Sequence, residues 1–104
     1  SSLDAEVDLY CDPAFKAVLD TLQDELRFVL ITSYARVHDL SRADAASIET
    51  AIQGLRVKVT PSAHAKCIRC WHRRADVGAH AEHPRLCARC VTNVAGAGES
   101  RSFA

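Results

Sequence analysis

Two Cys-x-x-Cys pairs, Cys67/Cys70 and Cys87/Cys90, stand sixteen residues apart in the stretch KCIRCWHRRADVGAHAEHPRLCARC. A two-residue spacer lets a tight turn aim both sulfurs of a pair at one point. Two such knuckles facing each other build a tetrahedral sulfur cage, the arrangement that a structural zinc ion prefers. The spacing falls in the window read as a zinc site. The rivals are two disulfides, a redox Cys-x-x-Cys, or a mixed site in which His64, His72, His80 or His83 replaces a sulfur. A redox pair wants a βαβ context around it, and none surrounds these cysteines. One structural zinc bound by four thiolates is the expectation.

Composition gives the same answer as a folding argument. Between Ala63 and Asn93 the large aliphatic residues are only Ile68, Val77, Leu86 and Val91, with Trp71 beside them. So small a set cannot offset the entropy of ordering the segment. A structural zinc supplies roughly 10–16 kcal/mol of apparent binding free energy, most of it as folding energy.

The rest of the chain is short on core as well. Apolar residues make up 48% of the 104, but 17 of them are alanine, which bounds the chain to one small domain or two very small modules. The start, SSLDAEV, lacks the basic and apolar character of a signal peptide. The longest large apolar run, Phe28–Ile31, is far too short to span a membrane. With a serine start and no methionine, the chain reads as an excised fragment. Five cysteines without a secretion signal point to a reducing, cytoplasmic setting and to metal ligation. The fifth, Cys11, reads as a small apolar residue at a strand end.

Net charge is zero, yet residues 1–63 carry six Lys/Arg against ten Asp/Glu, and residues 64–93 carry six against two. The second segment clusters Arg69, Arg73, Arg74, Arg85 and Arg89. That surface suits phosphate, although a solvated face that offsets thiolate charge has the same composition.

Periodicity outlines the first 62 residues. Leu3–Leu9 alternates as a half-buried strand with an acidic outer face. Asp12–Pro13 is an N-cap and first-turn proline. Phe15, Val18, Leu19, Leu22 and Leu26 then predict an amphipathic helix of about 13 residues. Phe28–Val37 reads as a central strand, giving a parallel βαβ unit. Asp39–Gly54 is ambiguous: Ser41 caps a short helix there, or the stretch is a connection. Leu55–Thr60 alternates as a strand with a basic outer face, complementary to the first strand if the two are neighbours. The expected class is α+β: a small βαβ-containing sheet with one or two helices (1–62), a four-cysteine zinc knuckle module (63–93) and a flexible tail (94–104). No phosphate-binding glycine loop or nucleophile elbow is present, and four cysteines leave a zinc ion no open position for an activated water.

Beyond spacing, the residues resemble a known family. CIRCW followed by His72, DVG at Asp76–Gly78, EHP at Glu82–Pro84, CARCVTN at Cys87–Asn93 and the GAGESRSFA tail are similar to the C-terminal zinc region of bacterial-type isoleucyl-tRNA synthetases. SSLDAEV and LRFVLITS resemble the same family upstream. The resemblance implies a parent ligase that activates isoleucine with ATP and transfers it to tRNA(Ile). It implies Cys67, Cys70, Cys87 and Cys90 as metal ligands, no catalytic residue, and a role in holding tRNA near the anticodon, with the rest of the synthetase chain as partner and neither membrane nor DNA. On physical grounds Trp71 is a stacking platform for an unpaired base, with Arg69, Arg73, Arg74 and Arg89 meeting phosphates. Packing of Trp71 as a roof over the knuckle is the equal rival reading. Two other classes remain at this point: a DNA-binding finger of the formamidopyrimidine-glycosylase kind, and a brace that only contacts its own protein.

Overall fold

The computed structural model describes all 104 residues, Ser1–Ala104. Four strands, β1 (Ala5–Cys11), β2 (Tyr34–Asp39), β3 (Ile48–Glu49) and β4 (Leu55–Pro61), form one mixed sheet in the order β2-β1-β4-β3. Helices α1 (Pro13–Asp20) and α2 (Leu26–Leu30) lie between β1 and β2, and α3 (Ala88–Ala95) follows the second knuckle. The α+β class and the parallel β1–helix–β2 unit are as expected. No helix is long and apolar enough to cross a membrane.

Alternation sets the faces of the sheet. Val7, Leu9 and Cys11 point to the helix side and, with Leu26, make the buried core. Phe15, Leu19, Leu22, Val37, Leu55 and Val57 pack around it. Cys11 is fully buried there, as a small apolar residue would be. Asp12 caps α1 by accepting from the Phe15 N–H at 2.9 Å. Gly54 lies against that cap with φ +82°, and a Cβ there would strike the Asp12 carboxylate. Only glycine satisfies both conditions.

Two expectations are corrected, and the open reading of 39–54 is decided. The helix of about 13 residues is broken: α1 ends at Asp20, Gln23 has φ 49°, and a 3-10 turn at Gln23–Glu25 leads into α2. The apolar period still places Leu19, Leu22 and Leu26 toward one core, but along a kinked path. Phe28–Val37 is not one central strand. Phe28–Leu30 is helical, Ile31 closes α2 in the left-handed region at φ 56°, and the strand begins at Tyr34, on the edge of the sheet. An apolar run of this length has no period that separates strand from buried helix.

In 39–54 no α-helix forms and Ser41 caps nothing. A 3-10 turn at Leu40–Arg42 leads to a turn in which Asp44 accepts from the Ala46 N–H at 2.9 Å and from the Ser47 hydroxyl at 2.7 Å, and then to β3. Such side-chain bonds compete with helix, and Ala45, Ala46, Ile48 and Ile52 are exposed, so a helix here would bury no apolar face.

The first and last long strands are neighbours, with Asp8 opposite Lys58. Their charges are nonetheless matched elsewhere. Lys58 reaches Asp44 at 3.1 Å, Asp8 reaches His38 at 2.7 Å, and Glu6 reaches Arg36 at 2.7 Å and the Ser62 hydroxyl at 2.6 Å. Burial pushes the Glu6 carboxyl up, but the Ser62 and Arg36 donors outweigh it and hold it below its ordinary 4.5. The stabilisation is therefore complete above that value and is lost as pH falls through the depressed folded value. Urea titrations at roughly pH 5 to 3 should show a shallower acid loss of stability in Glu6→Gln than in the parent chain.

The last residues fold back onto α2. The Glu25 carboxylate accepts the N–H groups of Ser102, Phe103 and Ala104 at 2.7–3.1 Å, and Arg101 lies over the Phe28 ring at 4.3 Å.

Candidate metal centre

The first knuckle is a short hairpin. The Cys67 N–H donates to the His72 carbonyl at 2.9 Å, the Trp71 N–H to the Cys67 carbonyl at 2.9 Å, and Lys66 bridges Arg73 across it. Reversing the chain in so few residues sends Trp71 to φ 69°. The second knuckle runs directly into α3, whose first turn lacks a capping side chain of its own. Asp76 serves instead, accepting the Ala88 N–H at 3.2 Å. Gly78, at φ +88°, lies so close that a Cβ would stand 3.1 Å from the Pro84 carbonyl. The DVG and EHP motifs thus meet and carry the chain between knuckles. Asp76→Ala should cost about 1 kcal/mol of stability, read as a lower melting temperature of the metal-loaded protein with zinc content unchanged.

All four sulfurs lie within 4.8 Å of one another, and Cys70 Sγ and Cys87 Sγ are 3.7 Å apart. A disulfide needs about 2.05 Å. Sulfurs placed about 2.3 Å from a tetrahedral zinc stand ~3.8 Å apart. The donor set fits zinc. Cys67, Cys87 and Cys90 are buried, while Cys70 is half-buried. His72 lies against Phe28 (ring centroids 5.7 Å) and its carbonyl accepts the Cys67 N–H, so it supports the cage from outside. His64, His80 and His83 are not part of the cluster.

Electrostatics divides the sulfurs when no cation holds them. The 3.7 Å bond between Cys70 and Cys87 holds the Cys70 thiol far below its ordinary range. That same bond, followed by burial, drives Cys87 far up. At Cys67 burial raises the thiol, but backbone N–H groups of Cys70, Cys87 and Arg69 outweigh it and lower it. Four sulfurs this close cannot all ionise without a divalent cation among them.

Residues 66–93 match the family described as a zinc finger found in FPG and IleRS. The four clustered cysteines inside this match form a structural zinc site. Over the full chain, the finger and its sheet are 59% identical across 107 residues to isoleucine–tRNA ligase of Thioalkalivibrio sulfidiphilus. The identity is also 59% to that of Alkalilimnicola ehrlichii, and 57% across 104 residues to that of Ectopseudomonas mendocina. In each case all of this chain is covered, and it spans about 11% of the length of the curated relative.

The arginines around the finger have different surroundings. Arg73 donates to Asp4 at 2.9 Å and to the His64 carbonyl at 3.3 Å, and its N–H meets the Ser33 hydroxyl at 2.6 Å. Arg74 donates to the Ser33 carbonyl at 2.6 Å and stacks on Tyr34 at 3.8 Å. Arg89 donates to Glu99 at 2.8 Å and lies over Phe28 at 5.1 Å. Arg69 is exposed and donates to Cys90 Sγ at 3.4 Å. Trp71 is 60% exposed, with the Lys66 ammonium 5.3 Å from its ring. It does not roof the knuckle.

Sequence reasoning missed Ser33, Lys66 and Glu99. Ser33 is wholly buried and is the seat of the finger: its N–H donates to the Ala5 carbonyl at 3.0 Å, its hydroxyl donates to the Leu3 carbonyl, and its remaining groups receive Arg73 and Arg74. A serine in an apolar run carries no signal of such a role. Lys66 had one, its place beside the first cysteine.

Proposed function

We propose that this chain is the tRNA-holding zinc appendage of an isoleucine–tRNA ligase, on the anticodon side, acting in the cytoplasm. In this reading Cys67, Cys70, Cys87 and Cys90 are the zinc ligands, no residue here is catalytic, and the partners are tRNA(Ile) and the remainder of the ligase chain. The ligase attaches isoleucine to its tRNA with ATP, using residues outside this chain. When bound, the zinc fixes the two knuckles against each other, and the chain's own residues meet the RNA.

One observation carries the reading. Trp71 is a large aromatic residue held in the left-handed region, where a bulky side chain is uncommon, and it is 60% exposed. It contributes little to the core and its backbone conformation is strained, which are marks of a residue kept for contact. Lys66 and Arg69 flank it and are exposed, as phosphate contacts need to be. Arg73, Arg74 and Arg89 donate to groups of this chain and hold the finger on its sheet, so any part they take in RNA binding goes through that placement. The brace reading draws on the same internal bonds. A DNA-binding finger leaves the sheet unexplained, whereas the ligase relatives match the sheet and the finger together.

A stacked base is worth about 1–3 kcal/mol, roughly 5- to 150-fold in affinity. Trp71→Ala should lose that much affinity for labelled tRNA(Ile) in a fluorescence anisotropy titration, with zinc content unchanged, and Trp71→Phe should keep most of it. Equal affinity of Trp71→Ala and the parent chain sinks the stacking reading and leaves the brace.

A further inference from the structure

The four clustered cysteines are unequally placed. Cys67 and Cys90 are wholly buried and Cys87 is 1% exposed, whereas Cys70 is only half-buried. Its chain neighbours, Arg69 and Trp71, are both exposed. Cys70 is thus the member of the cage that solvent reaches. The sulfur in contact with it belongs to the other knuckle, with Cys70 Sγ and Cys87 Sγ 3.7 Å apart. Cys90 Sγ is engaged instead by Arg69 Nη1 at 3.4 Å. The fifth cysteine, Cys11, is sealed in the core of the sheet. A cysteine that ligates a metal is held as the thiolate, and a thiolate open to solvent is where oxidation of a protein begins.

We propose that Cys70 is an oxidation site, and that a peroxide joins it to Cys87 in a disulfide across the two knuckles. The Cys70 thiolate attacks one oxygen of hydrogen peroxide. The O–O bond breaks, hydroxide leaves, and Cys70 carries a sulfenic acid. The Cys87 thiolate then attacks the Cys70 sulfur, the S–O bond breaks, and a second hydroxide leaves as the disulfide forms. Two thiolates lose two electrons in all, and one peroxide is reduced to two hydroxides.

The choice of pair matters. A Cys67–Cys70 bond would close a small ring inside one knuckle and leave the knuckles unconnected. A Cys70–Cys87 bond joins positions 17 apart in the chain and ties the knuckles together covalently. To form it the sulfurs close from 3.7 Å to about 2.05 Å. Cys67 and Cys90 are then the remaining sulfur ligands, one on each knuckle, short of the four donors that a structural zinc takes, so zinc is released. Trp71 follows Cys70 directly at φ 69°, and its N–H is bonded to the Cys67 carbonyl at 2.9 Å. The shift at Cys70 therefore reaches the indole. A dithiol reopens the bond by exchange, which makes the modification reversible.

The proposal rests on the four-thiolate reading, and its test separates the two. Zinc-loaded chain is treated with hydrogen peroxide beside a coloured chelator, and its peptides are mapped by mass spectrometry as zinc is released. One zinc should leave for each Cys70–Cys87 disulfide, with Cys11 still reduced. Trp71 fluorescence should change in step, and a dithiol with added zinc should restore it. In a separate sample, iodoacetamide below one equivalent should label Cys70 before the other three ligands. Cys70→His keeps a four-donor set, and its zinc-loaded form should lose most of the peroxide sensitivity. A disulfide within one knuckle as the main product overturns the proposal. So does first labelling at Cys67, Cys87 or Cys90, and so does zinc release from Cys70→His as fast as from the parent chain. Mapping and labelling decide the matter in the parent chain alone if Cys70→His fails to take up zinc. A parent chain that takes up no zinc overturns the four-thiolate reading itself.

Discussion

Removing zinc with a strong chelator unfolds residues 63–95 and leaves the four-stranded sheet standing. Within that stretch the buried residues are three cysteines and His72, and the apolar cluster around them adds only Cys70, Val77 and Leu86. Its interior is the metal site. No apolar reserve remains to replace roughly 10–16 kcal/mol of apparent zinc binding energy. The sheet has a core of its own in Val7, Leu9, Cys11 and Leu26, so it persists, although weakened. Ser33 loses its bonds from Arg73 and Arg74, and Asp4 loses Arg73. Amide hydrogen exchange checks this directly. Protection should vanish at Cys67, Trp71 and Arg74 and survive in β1 and β4, and protection retained in the knuckles after metal removal would contradict it.

The second large effect lies in the sheet. Leu26 is 3% exposed and closes the core from the helix layer. Leu26→Ala should cost about 2–5 kcal/mol in urea denaturation, a large share of what a domain this small possesses. Its control is three residues on. Val29 is 53% exposed on α2, and Val29→Ala should stay within about 0.5 kcal/mol. Had Phe28–Val37 been a central strand buried on both faces, Val29 would rank with Leu26. The pair of substitutions therefore tests the helical assignment as well as the core.

Elements with a strict period were legible: β1 and β4 from alternation, and the inward row of Phe15, Leu19, Leu22 and Leu26. The zinc cage was legible because two short spacers and four thiolates admit few geometries. What escaped is what depends on distant partners. Phe28–Leu30 is helical in a run with no distinguishing period, and Phe28 there takes Arg27, Arg89 and Arg101 on its ring, contacts that no local pattern announces. The basic cluster was legible as charge, but its division was not. Arg73 and Arg74 find Asp4 and Ser33 some 40 to 70 positions away in sequence, while Arg69 and Lys66 stay at the surface. Trp71 kept two readings because a knuckle fixes where its backbone goes, and only the folded chain decides whether the indole finds cover.

The central claim, that this finger holds tRNA through Trp71, has one direct measurement. The zinc-loaded chain is titrated with tRNA(Ile), a non-cognate tRNA and a DNA duplex, following the fluorescence of its single tryptophan at several salt concentrations. The account predicts quenching that prefers tRNA(Ile) and weakens with salt, with a logarithmic slope of about 0.7 per phosphate contacted in single-stranded RNA. No response to any of the three, with zinc bound and the fold intact, would contradict it and leave the chain as a brace within a larger protein.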